Sequence, residues 1–204
     1  MSEELRDYLS QFTFDPRPVK GALPIEVRIF SVGTLEIRGS QLLFSDSWCV
    51  PNDSVVVKVK PSIYEVYLEC FSYGTEGRIA RLIVQLPKTS PQRGNKQGYI
   101  DVDVASAAVC DGDLLESFMN SDEDAWENWL ETFTNRDYDA RDIAGLFPCP
   151  QANTLMFYTE TGFGDGSYPV YELVENGLVV GAEVVFLKSG LGYFDYDADE
   201  CEEV

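Results

Sequence analysis

Short apolar runs separated by turn residues dominate the chain between positions 25 and 86. Several runs alternate apolar and polar residues, which is the period of a half-buried β-strand. In SVVVKVK, for example, Val55, Val57 and Val59 fall on one face, and Val56, Lys58 and Lys60 fall on the other. The predicted strand segments are IEVRIF, GTLEIRG, SQLLFS, SVVVKVK, YEVYLECF and RIARLIVQL, and the last two are expected to form a hairpin around Gly74–Gly77.

The strongest turn signal in the second half is Asn176-Gly177, which separates two β-rich runs. A type I′ turn needs positive φ at both central positions, and Asn and Gly adopt it readily. A two-residue turn here sets Glu175 opposite Leu178 and Leu173 opposite Val180. Further strands are predicted upstream, in GYIDVDVASAAVCD and NTLMFYTE.

Two helices are predicted from the spacing of apolar residues. The N-terminal segment MSEELRDYLSQF favours a short amphipathic helix. In NSDEDAWENWLETF, Trp126, Trp129 and Phe133 share one face, and Ser121 is the predicted N-cap before a run of acidic residues. The predicted fold class is therefore α+β and mainly β, an antiparallel β-sandwich or roll with one or two packed helices.

Two segments are predicted to lack regular β-structure. Residues 88–98, KTSPQRGNKQG, are polar and predict a solvated loop, with a subdomain boundary there because the charge balance changes. Residues 135–151 are predicted to be irregular or weakly helical, closed by prolines. Residues 1–204 are expected to form a single domain that ends in an acidic, flexible tail at 189–204.

The charge of the chain is unevenly distributed. The chain contains 35 acidic and 15 basic residues, for a net charge of −20. Residues 1–100 carry 12 basic and 11 acidic residues, whereas residues 101–204 carry 3 basic and 24 acidic residues. Direct binding to a nucleic-acid backbone is not expected, because few cations could replace its counterions. A basic protein or a cation is the expected partner, and solubility is the other use of such acidity.

Several chemistries are excluded by composition. The chain has no histidine, which removes the usual general base and the Ser-His-Asp and Cys-His nucleophile systems. Its five cysteines are odd in number and lack a C-x-x-C pair, which argues against a disulfide framework or a zinc ribbon. No apolar run approaches the ~20 residues of a membrane span, and the acidic N-terminus does not resemble a signal peptide. A cytoplasmic location without a membrane partner is expected.

The glycine-rich stretch TGFGDGSYPVY, residues 161–171, is the most distinctive motif. It lacks the lysine of a phosphate-binding P-loop and leads into strand-forming residues, so it does not predict a phosphate site. Two uses remain open, a tight glycine-dependent turn or a binding or catalytic role for Asp165.

Paired carboxylates provide a second set of candidates. Asp101 and Asp103 would share one strand face, and Asp111 and Asp113 flank a glycine. Such pairs can perform acid–base chemistry or hold calcium or magnesium. The candidate binding or metal residues are Asp101, Asp103, Asp111, Gly164, Asp165, Gly166 and Tyr168.

Three parts of the sequence are similar to segments of a known protein family. They are VGTLEIRGSQLLFSDS (32–47), VKVKPSIYEVYL (57–68), and GYIDVDVASAAVCD (98–111) followed by TGFGDGSYPVY (161–171). Together they resemble the bacterial domain-of-unknown-function family 4241. In this chain Asp103-Val104-Ala105 replaces the family's usual Asp-Ser-Gly, and Ser62 stands where members often have Gly.

The resemblance implies no established activity. Such families often occur near bacterial toxin or phage-conflict genes, which by analogy implies an immunity-like binding role. The leading hypothesis is a non-enzymatic, acidic, cytoplasmic binding protein, such as an inhibitor or immunity protein for a basic nuclease. The alternatives are a carboxylate-based metal-dependent hydrolase or metal-binding protein, with calcium or magnesium, and a nucleic-acid mimic.

Overall fold

Three layers of secondary structure, two β-sheets and a helical layer, stack in the computed structural model. The structure describes residues 3–12, 24–51, 54–73, 77–135, 143–162 and 164–187. The helices are α1 (Glu3–Leu9), α2 (Gly112–Ser121) and α3 (Glu123–Thr134). The strands are β1 (Glu26–Ile37), β2 (Gln41–Asp46), β3 (Val55–Lys58), β4 (Ser62–Ser72), β5 (Gly77–Gln85), β6 (Gln92–Val102), β7 (Ser106–Asp111), β8 (Ala144–Cys149), β9 (Thr154–Glu160), β10 (Gly166–Glu175) and β11 (Leu178–Val185).

The strands form two antiparallel sheets. Sheet 1 has the order β1-β4-β5-β11-β10-β6, and sheet 2 has the order β3-β2-β7-β9-β8. The described strands cross from one sheet to the other four times, after β1, β3, β6 and β9. The predicted class, α+β and mainly β with an antiparallel sandwich, is confirmed.

The two sheets bury a shared core between their facing surfaces. Phe44 and Phe157 point into it from sheet 2, and Tyr64, Leu68 and Leu82 point into it from sheet 1. All five side chains are at most 1% exposed. Burying an apolar side chain of this size contributes about 1.5–3 kcal/mol, so this interface is the main source of stability.

Sheet 2 is the middle layer, because α2 and α3 cover its other face. Trp126, Trp129 and Phe133 of α3 are buried there, as their spacing predicts. Trp129 Nε1 also donates a hydrogen bond of 2.8 Å to the carbonyl oxygen of Pro148, at the edge of the sheet. Burial on both faces explains why β2 and β7 lack the polar alternation of a half-buried strand.

The N-cap of α3 is one residue later than predicted. The side chain of Asp122 accepts a hydrogen bond of 3.0 Å from the backbone N–H of Ala125. Ser121 instead ends α2, and its hydroxyl donates to the carbonyl oxygen of Phe118. The prediction was wrong because α2 was not foreseen, so Ser121 already belongs to a preceding helix.

The predicted loop at 88–98 is largely a strand. Its second part forms the start of β6, at the edge of sheet 1. An edge strand leaves side chains in solvent, which allows polar residues there. The guanidinium of Arg93 also bonds the carboxylate of Glu183, which is 1% exposed, and lies 4.6 Å from the ring centroid of Tyr171.

Two further predictions need correction. The segment predicted to be irregular at 135–151 contains β8, whose Pro148 is tolerated because β8 is an edge strand of sheet 2. The runs predicted as separate strands at the start of sheet 1 form the single strand β1, with a register shift between Ser31 and Gly33. The predicted tail at 189–204 lies outside the described residues.

The hairpin at Asn176-Gly177 joins β10 to β11, and Glu175 pairs with Leu178 as predicted. Leu173 pairs with Gly181 and not with Val180. The pairing changes register between Leu173 and Val174, which is the position of a β-bulge.

Replacing Phe133 with alanine should strongly destabilise the protein. Phe133 is fully buried, and its ring packs against Trp129, Phe147 and Tyr158. We expect a loss of about 3–5 kcal/mol in the free energy of unfolding, measured by urea denaturation. The matched control is Thr132→Ala, an exposed position in the same helix, which should change it by less than about 0.5 kcal/mol. Equal effects would contradict the placement of α3 on sheet 2.

Candidate functional site

The glycine-rich stretch forms the crossing from β9 in sheet 2 to β10 in sheet 1. Thr161 and Gly164 hold it from within, because the Thr161 hydroxyl donates to the Gly164 carbonyl and accepts from its N–H at 3.0 Å. The hydroxyl of Tyr168, a residue only 3% exposed, donates to the same carbonyl at 2.8 Å. Gly164 has a φ of +95°, which L-residues with a side chain rarely adopt. The turn predicted from the sequence is therefore present.

Asp165 binds a neighbouring crossing, the turn at 103–105 between β6 and β7. Its Oδ1 accepts a hydrogen bond of 3.0 Å from the backbone N–H of Ala105. The carbonyl oxygen of Ala105 accepts in return from the N–H of Thr161 at 2.9 Å. The two crossings are thus fastened to each other by one side-chain and one backbone hydrogen bond.

Asp46 holds the same turn from the end of β2. Its Oδ2 accepts from the N–H of Asp103 at 2.7 Å, and its Oδ1 accepts from the N–H of Trp48 at 2.6 Å. The residue is 2% exposed, and this burial raises the pKa of its carboxyl, although hydrogen bonds from backbone N–H groups lower it. The carboxylate oxygens are therefore used to bind backbone.

A cavity of about 490 Å³ opens beside these crossings. Leu9, Phe12 and Ile79 contribute apolar surface to it, and Arg78 and Thr161 contribute polar atoms. Arg78 is 4% exposed, and its guanidinium donates a hydrogen bond of 2.9 Å to the carbonyl oxygen of Gly162. A mostly apolar cavity with a few polar groups is typical of ligand-binding sites and of active sites.

Most of the predicted site residues lie at this end of the sandwich. Gly166 pairs with Val102, and Ser167 pairs with Asp101, whose side chain is exposed. Asp103, Gly164, Asp165, Gly166 and Tyr168 are thereby brought together with Asp101.

Asp111 does not join them, because it lies at the far end of β7, about 17 Å of strand away from Ser106. Its Oδ2 accepts from the N–H groups of Arg38 and Gly39 at 2.7 and 2.8 Å, and its Oδ1 caps α2 at Leu114. A Cβ on Gly39 would lie 2.7 Å from the Asp111 Oδ1, so the close approach requires glycine there. Asp111 thus serves the crossing from β1 to β2.

Asp46 and Arg78 were not among the predicted site residues. Asp46 is the last residue of β2, after its apolar run and Ser45, and Arg78 directly precedes Ile79 at the start of β5. A charged residue at the end of a buried strand is the signal that could have identified both. Among the described residues, no group of three or more Asp, Glu or Cys side chains is arranged to hold a metal ion.

Comparison with known proteins gave no match to any family model, curated protein or solved structure. The resemblance to family 4241 stays a prediction. Within the part of the chain that the structure describes, no helix is both long and apolar enough to cross a membrane.

Replacing Ala105 with glycine should stabilise the protein. Ala105 has a φ of +57°, a left-handed conformation that costs an alanine about 1 kcal/mol or more. Glycine removes this strain but adds chain entropy to the unfolded state, so we expect a net gain of up to about 1 kcal/mol in the free energy of unfolding. Ala125→Gly in α3 is the control and should lose about 1 kcal/mol. A comparable loss in both variants, measured by urea denaturation, would contradict the left-handed turn.

Proposed function

We propose that this chain is a non-enzymatic, cytoplasmic binding protein that uses the outer surface of α2 and α3 to bind a basic partner, as an inhibitor or immunity protein does. The observation that carries the proposal is the segregation of charge on these helices. Residues 101–135 contain ten acidic residues and no basic residue. Among the described side chains of the two helices, the exposed acidic residues, termed here the acidic face, are Glu116, Asp124, Glu127 and Glu131.

Towards the C-terminal end of α3, the acidic face does not stabilise its own helix. Asp124, Glu127 and Glu131 form one stripe at i, i+3 and i+7. Glu127 and Glu131 are like charges at i, i+4, which costs about 0.2–0.5 kcal/mol, and Glu131 lies near the negative end of the helix dipole. The last turn of α3 contains no basic residue. Binding to a basic surface would replace these local repulsions with attractions.

The geometry of the candidate site supports the non-enzymatic form of this proposal. The Thr161 hydroxyl and the carboxylates of Asp46 and Asp165 are engaged with backbone groups of the crossings. The carboxylate hydrolase has no comparable support, since no group of three or more described Asp, Glu or Cys side chains is arranged to hold a metal ion. A nucleic-acid mimic is a narrower version of the proposal, favoured by the single stripe on α3, and it requires a partner that binds DNA.

The test measures binding to a panel of small basic proteins, some of which are DNA-binding nucleases, at increasing salt. We expect affinity that falls as salt rises, because charge attraction drives the encounter. A variant that neutralises the acidic face (Glu116→Gln, Asp124→Asn, Glu127→Gln and Glu131→Gln) should bind at least about tenfold more weakly.

The control neutralises the same number of exposed carboxylates elsewhere, in Glu3→Gln, Glu4→Gln, Asp7→Asn and Glu36→Gln. Both variants have the same net charge, so a difference between them assigns binding to the acidic face. Equal losses, or binding that does not depend on salt, would overturn the proposal. Competition by duplex DNA for the same partner would support the mimic.

A further inference from the structure

The edge strand β1 exposes an unusual amount of apolar surface. Among the described residues β1 pairs with β4 alone, so its other edge faces outward. Val27 and Ile29 are 50% and 58% exposed, and Ile25, directly before the strand, is 76% exposed. An edge strand presents backbone N–H and C=O groups that can pair with another chain, and exposed apolar side chains along that strand favour such pairing.

The regular part of this edge is short and ends at a defined point. The pairing of β1 with β4 shifts register between Ser31 and Gly33. A bulge of this kind twists the strand and disturbs its hydrogen-bonding edge. Ile25 to Ser31 is therefore the segment that can accept another strand.

The residues of this segment are complementary to themselves in the antiparallel direction. In IEVRI, a two-fold axis at Val27 places Ile25 opposite Ile29 of a second copy. The same axis places Glu26 of each copy opposite Arg28 of the other copy, which gives two such pairs. Side chains directly opposite each other lie on the same face, so one face of the pair becomes apolar and the other carries two opposite-charge pairs.

The charged side chains already lie together in the single chain. Arg28 Nε and Glu26 Oε1 are 2.8 Å apart, and both side chains are about half exposed. Arg28 also lies over the ring of Tyr8, 4.9 Å from its centroid, which keeps the guanidinium on this face. In an antiparallel pair, the two ion pairs would form one cluster of alternating charge.

We propose that two copies of this chain associate through β1 in an antiparallel register centred on Val27, which joins their two six-stranded sheets. The excess of acidic over basic residues lies in the second half of the chain. Residues 1–100 are nearly balanced, with 12 basic and 11 acidic residues. The edge is therefore in the half where repulsion between copies is weakest. A short strand pair is a small interface, and the dimer is accordingly weak and dependent on concentration.

The test uses the whole chain and measures its molar mass by sedimentation velocity over a roughly thousandfold range of concentration, up to about millimolar. We expect the wild-type protein to shift from monomer to dimer across this range. Glu26→Arg and Arg28→Glu each place like charges opposite each other at both pairs, so each variant alone should dimerise at least about tenfold more weakly.

Mixing these two variants should restore association. One copy then carries two basic residues and the other two acidic residues, so every cross-strand pair is again attractive. The double variant Glu26→Arg with Arg28→Glu should dimerise with itself like the wild type. Because the same folded chains are used alone and mixed, misfolding cannot produce this pattern.

Two valine substitutions, one in β1 and one in β3, test the contribution of the apolar face. Val27→Asp should abolish the dimer, whereas Val56→Asp, at an exposed valine of the edge strand β3, should leave it unchanged. A wild-type protein that stays monomeric over the whole range would overturn the proposal, and so would a mixture of the charge variants that fails to associate. Equal effects of the two valine variants would place the contact elsewhere and would overturn it as well.

Discussion

Carboxylates that accept backbone N–H groups hold two of the places where the chain passes from one sheet to the other. At one end of the sandwich Asp111 binds the N–H groups of Arg38 and Gly39 after β1. At the other end Asp46 and Asp165 bind the turn between β6 and β7. Crossing segments leave their sheet ladders, and a buried N–H without an acceptor costs about 1–3 kcal/mol. The relative position of the sheets, and with it the core, depends on these bonds.

The same constraint separates the acidic residues by role. Asp46, Asp111 and Asp165 accept backbone N–H groups at the crossings. The side chains of the acidic face on α2 and α3 are exposed to solvent. Asp111 connects the two groups, because it holds the first crossing and also caps α2. The architecture thereby fixes the layer that presents the acidic face, on the opposite side of sheet 2 from sheet 1.

Sequence patterns predicted correctly those parts of the fold that depend on interactions between residues close together in the chain. The apolar face of α3 and the hairpin at Asn176-Gly177 follow from spacing and turn chemistry within a few residues. The strand β6 could not be predicted in this way, because Arg93 is held by Glu183, 90 residues away. The roles of the aspartates were missed for the same reason, since Asp111 and Arg38 are separated by 73 residues and Asp103 and Asp46 by 57. Acidic pairs along the sequence therefore resembled a metal or catalytic set, although Asp111 accepts distant N–H groups and the side chains of Asp101 and Asp103 are exposed.

The most direct test of this account is the free energy of unfolding of Asp111→Ala, measured by urea denaturation beside Asp101→Ala. Asp111 is fully buried and accepts three backbone N–H groups, whereas the Asp101 side chain is exposed on β6. We expect a loss of at least about 3 kcal/mol for Asp111→Ala and less than about 0.5 kcal/mol for Asp101→Ala. A loss below about 1 kcal/mol for Asp111→Ala would contradict the claim that carboxylates accepting backbone N–H groups hold the crossings.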